Sequence, residues 1–299
     1  STADNGGHSG ELRMQYGVLP PGDLLRALLA MSKLEKGWLS LLGFRFKGST
    51  HDNANVGNLI MAAQTLISQD PLTAIDVLHQ LLQVQGRVIP ATVIAANLKA
   101  IYEDGSVGEG EHEIGLPKEP RQPIVHCELN PPMSANPEAL QAIGQADLII
   151  IAMGDLYSSI AGALKGGGIA EALVRAQAPK IYVLNLATKQ AETDDYQATR
   201  FIEMVERLMC PARLSAVIIN TGRPNDELVQ RHTSAGQPLV LDDLSRGTSH
   251  LLVVRRDLLA APGTELNPTS KSADGGSLFR HDPDKLAVVI LECLALLRR

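Results

Sequence analysis

Two short apolar runs of this chain each stop at residues able to do chemistry. The run 148–153 (LIIIAM) gives way to Gly154-Asp155, with Ser158 and Ser159 opening a helical pattern just beyond. The run 181–184 (IYVL) gives way to Asn185, and Thr188 follows. Glycine lets a backbone approach a ligand closely, and a helix starting beyond a strand aims free N–H groups at an anion. Ser158, Ser159 and Thr188 add hydroxyl donors to such a cradle. No Lys or Arg lies between Asp147 and Leu164, so an anion here would be held by dipoles rather than by cations. The spacing fits neither a P-loop nor GxGxxG, and a plain turn with Ser near a helix start is the alternative reading.

Further candidates lie elsewhere in the chain. Residues 3–13 (ADNGGHSGELR) read as a glycine-rich loop in which Gly6 and Gly7 expose N–H groups. Asp4 is available there for a metal or a hydroxyl, unless the segment is a simple tail. Asp23 follows Leu19-Pro20-Pro21-Gly22 and reads as a helix N-cap or as a catalytic acid. Asn58 falls at the junction of the loop 48–58 with a helix, where its amide would read a base or a sugar. Arg223 follows a third strand, 214–220, and is the cation nearest a strand end. His51 and Asp52 lack a third partner at ligand spacing, and no metal site is assigned.

Short apolar runs separated by helix-length segments are the signature of buried parallel strands, and ligands of such sheets sit outside the strands' carboxyl ends. Strands are expected at 86–92, 124–129, 148–153, 181–184 and 214–220, with edge strands at 239–241 and 251–254. Helices are expected from Asp23, over 59–67, from Pro71 to about Val84, after Asn136, over 194–209, and from Asp282-Pro283 to the end. The first of these buries Leu24, Leu28 and Met31. In the last, Leu286, Val289, Ile290, Cys293 and Leu297 share one face. Residues 97–114 change character around Asp104-Gly105, a hairpin signal. The segment 97–129 therefore reads as an antiparallel hairpin insertion in a single α/β domain spanning 1–299. The fold expected is a Rossmann-like, open, mostly parallel sheet with helices on both faces.

Composition narrows the function. The chain is 44% hydrophobic, 20% charged and only 3% aromatic, so its core is built from Leu, Ile, Val and Ala. A net charge of −6 argues against nucleic acid or an anionic membrane surface as partner. No run approaches the roughly 20 apolar residues of a membrane span, no signal peptide is visible, and a cytoplasmic location is expected. Cys127, Cys210 and Cys293 have no disulfide or metal spacing. The stretch 262–277, containing SKSADGGS, reads as a loop able to order over a ligand.

Taken in order, ADNGGHSGELR, VLPPGDLLRALLA, VGNLIMAA, QGRVIPAT, ANPEAL, ADLIIIAMGDLYSSI, GIAEAL, APKIYVLNLATKQAETDDY and HDPDKL resemble the YvcK-type gluconeogenesis and morphogenesis factors, relatives of the CofD-type phospholactate transferases. The resemblance covers nearly the whole chain and is weakest over 223–276. It implies a Rossmann-like fold and a cytoplasmic regulator of cell shape and carbon metabolism that binds UDP-N-acetylglucosamine or a similar nucleotide. By motif matching the ligand would meet Asp4, Gly6, Gly7, Asp23, Asn58, Gly154, Ser158, Ser159, Asn185 and Thr188; Asn5 and Asp155, where the chain departs from the motifs, and Arg223 at the third strand end are added as candidate ligand contacts. The alternative it implies is a transferase moving a phospholactyl-like group from a nucleotide donor, with Asp4 and Asp23 holding Mg²⁺ or orienting the acceptor. A third reading is a degenerate member that binds other proteins. A homodimer is an open possibility.

Family members usually begin with an apolar strand and a glycine-rich turn ahead of the loop matched by ADNGGHSG, and both are expected to be missing here. Other departures are Asn5 for an Asp, Asp155 within the usual GPGS, and Lys189-Gln190-Ala191-Glu192-Thr193 for Gln-Pro-Gly-Glu-Thr.

Overall fold

A computed structural model describes residues 2–48, 52–115, 121–244, 251–261 and 279–298. The amino-terminal part is helical: α1 Gly7–Tyr16, α2 Pro21–Ala30, α3 Lys36–Gly43, α4 Val56–Ser68 and α5 Pro71–Leu81. An antiparallel unit follows, with β1 Asn97–Tyr102, β2 Val107–Glu109, the short helix α6 Glu111–Gly115, and β3 Ile124–Asn130. The remainder alternates helix and strand. It runs α7 Pro137–Gln145, β4 Ile149–Ile151, a π-helical turn Leu156–Ala161 continuing into α8 Gly162–Leu164, and α9 Ile169–Arg175. Then come β5 Lys180–Val183, α10 Ala198–Met209, β6 Ala216–Asn220, α11 Asp226–Ser234, β7 Leu252–Arg256 and α12 Pro283–Leu297.

The parallel sheet has the order β4-β5-β6-β7, and its side chains alternate between two cores as strand geometry requires. Tyr182, Val217 and Ile219 face one side, joined by Phe201, Val205 and Met209 of α10. Ile181, Ala216, Ile218 and Val254 face the other, covered by Val289 and Cys293 of α12. Helices on both faces of an open parallel sheet are therefore what the structure shows. The antiparallel strands form a second sheet, β2-β1-β3, separate from the first and sharing a core with it through Leu98, Tyr102 and Leu129. The helical part has its own core, built from Leu24, Leu25, Leu28, Leu29, Met61, Ile75 and Leu78.

The carboxy-terminal helix forms as its sequence directs: Pro283 takes the first position, and Asp282 Oδ1 accepts from the N–H groups of Asp284 and Lys285, both at 3.0 Å. Asp282→Ala is expected to lower stability by about 1 kcal/mol, read as a fall in the thermal midpoint.

Five local expectations are corrected. Residues 3–13 are not a loop throughout: Gly10 N–H reaches Gly6 O at 3.0 Å, and α1 starts at Gly7. Asp23 is not an N-cap, because Pro21 itself fits the first helical position and moves the cap to Pro20; Asp23 lies in the first turn, beside Arg26 at 3.3 Å. On that helix Leu25 and Leu29 are buried with Leu24 and Leu28, while Met31 lies past its end and is exposed. Residues 86–92 form no strand, and 239–241 contribute one isolated bridge, Ala187 with Leu239. The expected strand at 251–254 is β7, pairing in parallel with β6 along its length. His51 and the loop 262–277 lie outside the described residues. Among the described residues, no helix is long and apolar enough to cross a membrane.

Candidate functional site

The carboxyl ends of β4 and β5 are tied to each other before anything is left for a ligand. Asn185 Nδ2 donates to Gly154 O at 2.8 Å, and Asn185 Oδ1 accepts from the Tyr182 hydroxyl at 2.9 Å. Gly154 and Asn185 thus come together as one junction. Thr188 is buried and anchors the neighbouring segment, with its N–H 2.9 Å from Pro238 O and its hydroxyl 3.4 Å from the same oxygen.

The helical start beyond β4 does present N–H groups to an anion, and the protein supplies that anion itself. Tyr157 N–H and Ser158 N–H both donate to Glu192 Oε2 at 3.2 Å, and the Ser158 hydroxyl donates to Oε1 at 2.8 Å. Glu192 is fully buried at its side chain. Lys189 completes the cluster: its ammonium lies 2.5 Å from Glu192 Oε1, 2.6 Å from Asp155 Oδ2 and 3.3 Å from Ser158 Oγ. Burial alone would depress the Lys189 ammonium, but Glu192 and Asp155 outweigh it and raise its pKa. Lys189 therefore stays a cation and takes no proton from Ser158. Asp155 is half exposed, with one oxygen on Lys189, and Ser159 N–H bonds Asp155 O at 2.9 Å. Lys189 and Glu192 are absent from the residues singled out by strand-end reasoning. The available signal was a basic and an acidic residue three apart, just after a strand end.

The second cluster grows from the amino-terminal residues. Asp4 Oδ1 accepts from Gly6 N–H at 2.9 Å, and Asn5 Oδ1 accepts from His112 N–H at 3.0 Å, inside α6. Gly110 has φ +96° and no space for a side chain, since a Cβ there would meet Asn5 Nδ2 at 2.1 Å. Gly7, with φ +51°, opens α1. Ser9 accepts from Asn58 Nδ2 at 3.4 Å, and Asn58 is buried at the start of α4, with its own N–H on Asn55 Oδ1 at 2.8 Å. Gly22, beside Asp23, packs against Ser9 Oγ and Asp4 Oδ2. Burial, partly offset by Glu11, lowers the pKa of His8, whose Nδ1 accepts from Asn55 N–H at 3.3 Å.

Helix α6 spans the gap between the clusters. Asn5 grips its first turn, and its last residue, Gly115, lies so close to the strand-end cluster that a Cβ would meet Lys189 Nζ at 2.9 Å and Glu192 Oε1 at 3.2 Å. Glu111 heads this helix. Burial first, then the negative charges of Asp4 and Asp23, push its carboxyl up to about 8, with Lys189 pulling the other way. Its Oε2 is buried without a hydrogen-bond partner. Arg223, by contrast, is exposed beyond β6, where Asn220 Oδ1 holds the turn through Gly222 N–H and Leu258 N–H. Among the described residues, no three His, Cys, Asp or Glu side chains come together as a metal site.

An open parallel sheet whose strand-end loops carry the polar groups places the chain among Rossmann-like α/β proteins. It belongs to the CofD family: the family described as 2-phospho-L-lactate transferase CofD matches residues 1–259. A putative gluconeogenesis factor of Thermotoga maritima is 35% identical over 290 residues, covering 97% of this chain and 88% of that protein. The gluconeogenesis factor of Bacillus subtilis is 32% identical over 296 residues, covering 98% of this chain and 89% of that one. A crystal structure of a upf0052-family member from Bacillus halodurans superposes with a TM-score of 0.85 at 27% identity, covering 97% of this chain and 89% of that chain.

Proposed function

We propose that this protein is a regulator of the gluconeogenesis-factor type that binds a nucleotide sugar in the space bordered by Asp4, Asp23, α6 and the β4 end. The observation that carries this reading is the position of α6. It joins the amino-terminal loop, through Asn5, to the strand-end cluster, through Gly115, so groups far apart in sequence border one region. The family relationship to gluconeogenesis factors supports the regulatory role. Glu192 already occupies two N–H groups of the helical start beyond β4, so the ligand's anionic part would lie away from that turn. Calorimetric titration with UDP-N-acetylglucosamine tests the proposal. Binding is expected, and Asp23→Ala is expected to weaken it about tenfold, about 1.4 kcal/mol. A full-length protein that binds no uridine nucleotide would sink the reading. Turnover of a nucleotide diphospho-lactate donor, lost in Asp23→Ala, would replace it with the transferase reading.

A further inference from the structure

Helix α4 is apolar on the side it buries and also on the side it exposes. Its inner face, carrying Gly57, Met61 and Ala62, is buried. Its outer face carries Leu59, Ile60, Ala63, Leu66 and Ile67, spaced to form one stripe, and all five are exposed, Ile67 to 76%. The helix holds no Asp, Glu, Lys or Arg. Its neighbour α5 instead exposes Thr73, Asp76 and Gln80, as a helix facing water does. A helix that is apolar all round is one covered on both sides.

The patch extends beyond α4. Gly57 packs so closely on α3 that a Cβ would meet Leu42 O at 2.8 Å, and Ile60 and Ile67 lie on the same flank of the helix. On α3 and just past it, Trp38, Leu41, Phe44 and Phe46 are exposed as well. The exit from α3 is tied to the start of α4: Val56 N–H donates to Phe44 O at 3.1 Å, and Phe46 N–H to Ala54 O at 3.0 Å. With an aromatic side chain worth roughly 150–250 Å² and an aliphatic one somewhat less, the exposed fractions make a patch of roughly 800 Å². The largest apolar patch of a monomer is about 300–600 Å², whereas a standard interface takes about 800 Å² from each partner.

Charge narrows what covers it. The stripe on α4 has no Lys or Arg to meet anionic headgroups, and the chain carries −6. The two ends of the stripe are opposite in sign. Arg45, bridged to Asn55, and Lys47 lie beside the start of α4, where the helix dipole is also positive. Asp52 at that end is turned onto Gly48 N–H at 2.8 Å. Asp70 lies at the other end, just past the helix's carbonyl groups. Such a face is complementary to itself when turned end for end.

We propose that this face binds a second copy of the chain, α4 packing antiparallel on its two-fold copy, with Lys47 of each copy facing Asp70 of the other. Trp and Phe in the patch and an uncharged centre are the composition of interface cores. The interface stands independently of the ligand reading.

Analytical ultracentrifugation of the full chain over a concentration series tests it, and wild type is expected at twice the chain mass. Ile67→Lys and Leu59→Glu each put a charge on the stripe at the helix end whose dipole favours it, so the fold is kept, which unchanged far-ultraviolet dichroism checks. Each is expected to weaken association at least about a hundredfold, since the charge is buried without a partner in the interface. Leu291→Lys, at an exposed apolar position of α12, is expected to leave the dimer intact. Lys47→Glu is expected to weaken it about tenfold, with the loss largest at low salt.

A wild type that stays monomeric, or a dimer that survives both α4 variants, would overturn the proposal. So would a dimer broken by Leu291→Lys alone, which moves the interface to α12. An unchanged association in Lys47→Glu would overturn the antiparallel arrangement. A monomer that instead co-sediments with phosphatidylserine vesicles, and loses this in Trp38→Ala, would give the face to a membrane.

Discussion

Glu192→Ala is expected to destabilise the protein by about 3–5 kcal/mol, the scale for removing one partner of a buried charged pair. The loss is large because the Glu192 carboxylate answers four donors at once: two backbone N–H groups, the Ser158 hydroxyl and the Lys189 ammonium. Without it the helical start beyond β4 keeps buried, unpaired N–H groups, and Lys189 retains only Asp155, half in water, as a charged partner, beside the Ser158 hydroxyl. Glu192→Gln preserves the shape and one acceptor oxygen and should recover part of the loss. Urea denaturation midpoints at fixed pH measure both. A cost for the alanine variant below about 1 kcal/mol, the range of exposed pairs, would show that the cluster is not the buried keystone described above.

The second large effect is on acid stability. His281 lies on the bridge between Leu259 and the start of α12, its Nε2 buried without a partner, and burial lowers its pKa from 6.5 to about 4. The unfolded chain takes up a proton as the pH falls below 6.5, while the folded protein does not until about 4. Stability from keeping this imidazole neutral is thus fully present above 6.5 and is lost as the pH drops through that window. The lowered pKa corresponds to about 3 kcal/mol at about 1.36 kcal/mol per unit. His281→Phe, which carries no proton, should flatten that part of the profile. Denaturation curves collected from neutral to mildly acid pH would show it as a wild-type slope missing from the variant; parallel profiles would refute the assignment.

What the sequence disclosed depended on how local the cause was. The strands β4, β5 and β6 were readable because each is an apolar run cut off by polar residues. The face of α12 carrying Leu286, Val289, Ile290, Cys293 and Leu297 was readable from helical spacing and an Asp-Pro start. Helix α1 was hidden because glycines at 6, 7 and 10 argue for a loop. Contacts of His8, Ser9 and Leu12 with distant segments override that propensity. The strand order and the separate antiparallel sheet follow from pairings that no local window contains.

The candidate site was legible in its members more than in its connections. Gly154 was expected near Asn185, and the Asn185 amide does bridge to it. Ser158 was expected to point at a ligand, yet its donors go to Glu192. That carboxylate lies 34 residues further along the chain and meets Ser158 only when β5 is set beside β4. Glu111 read as one acid of a solvated stretch, since its isolation from water comes from Asp4, Asp23 and α6 packing in three dimensions.

The separate core of the helices α2 to α5 has a consequence for motion. It shares no buried residue with the cores of the sheet, so the energy that keeps this layer closed is its own. Such a layer is expected to open as a cooperative unit, with a hydrogen-exchange rate distinct from that of β5 and β6. Asp23 and Asn58 ride on that unit, whereas Asp155 and Asn185 belong to the sheet. A molecule touching both would act as a clasp across the two units, slowing amide exchange in α2 and α4 while leaving the sheet strands as they were.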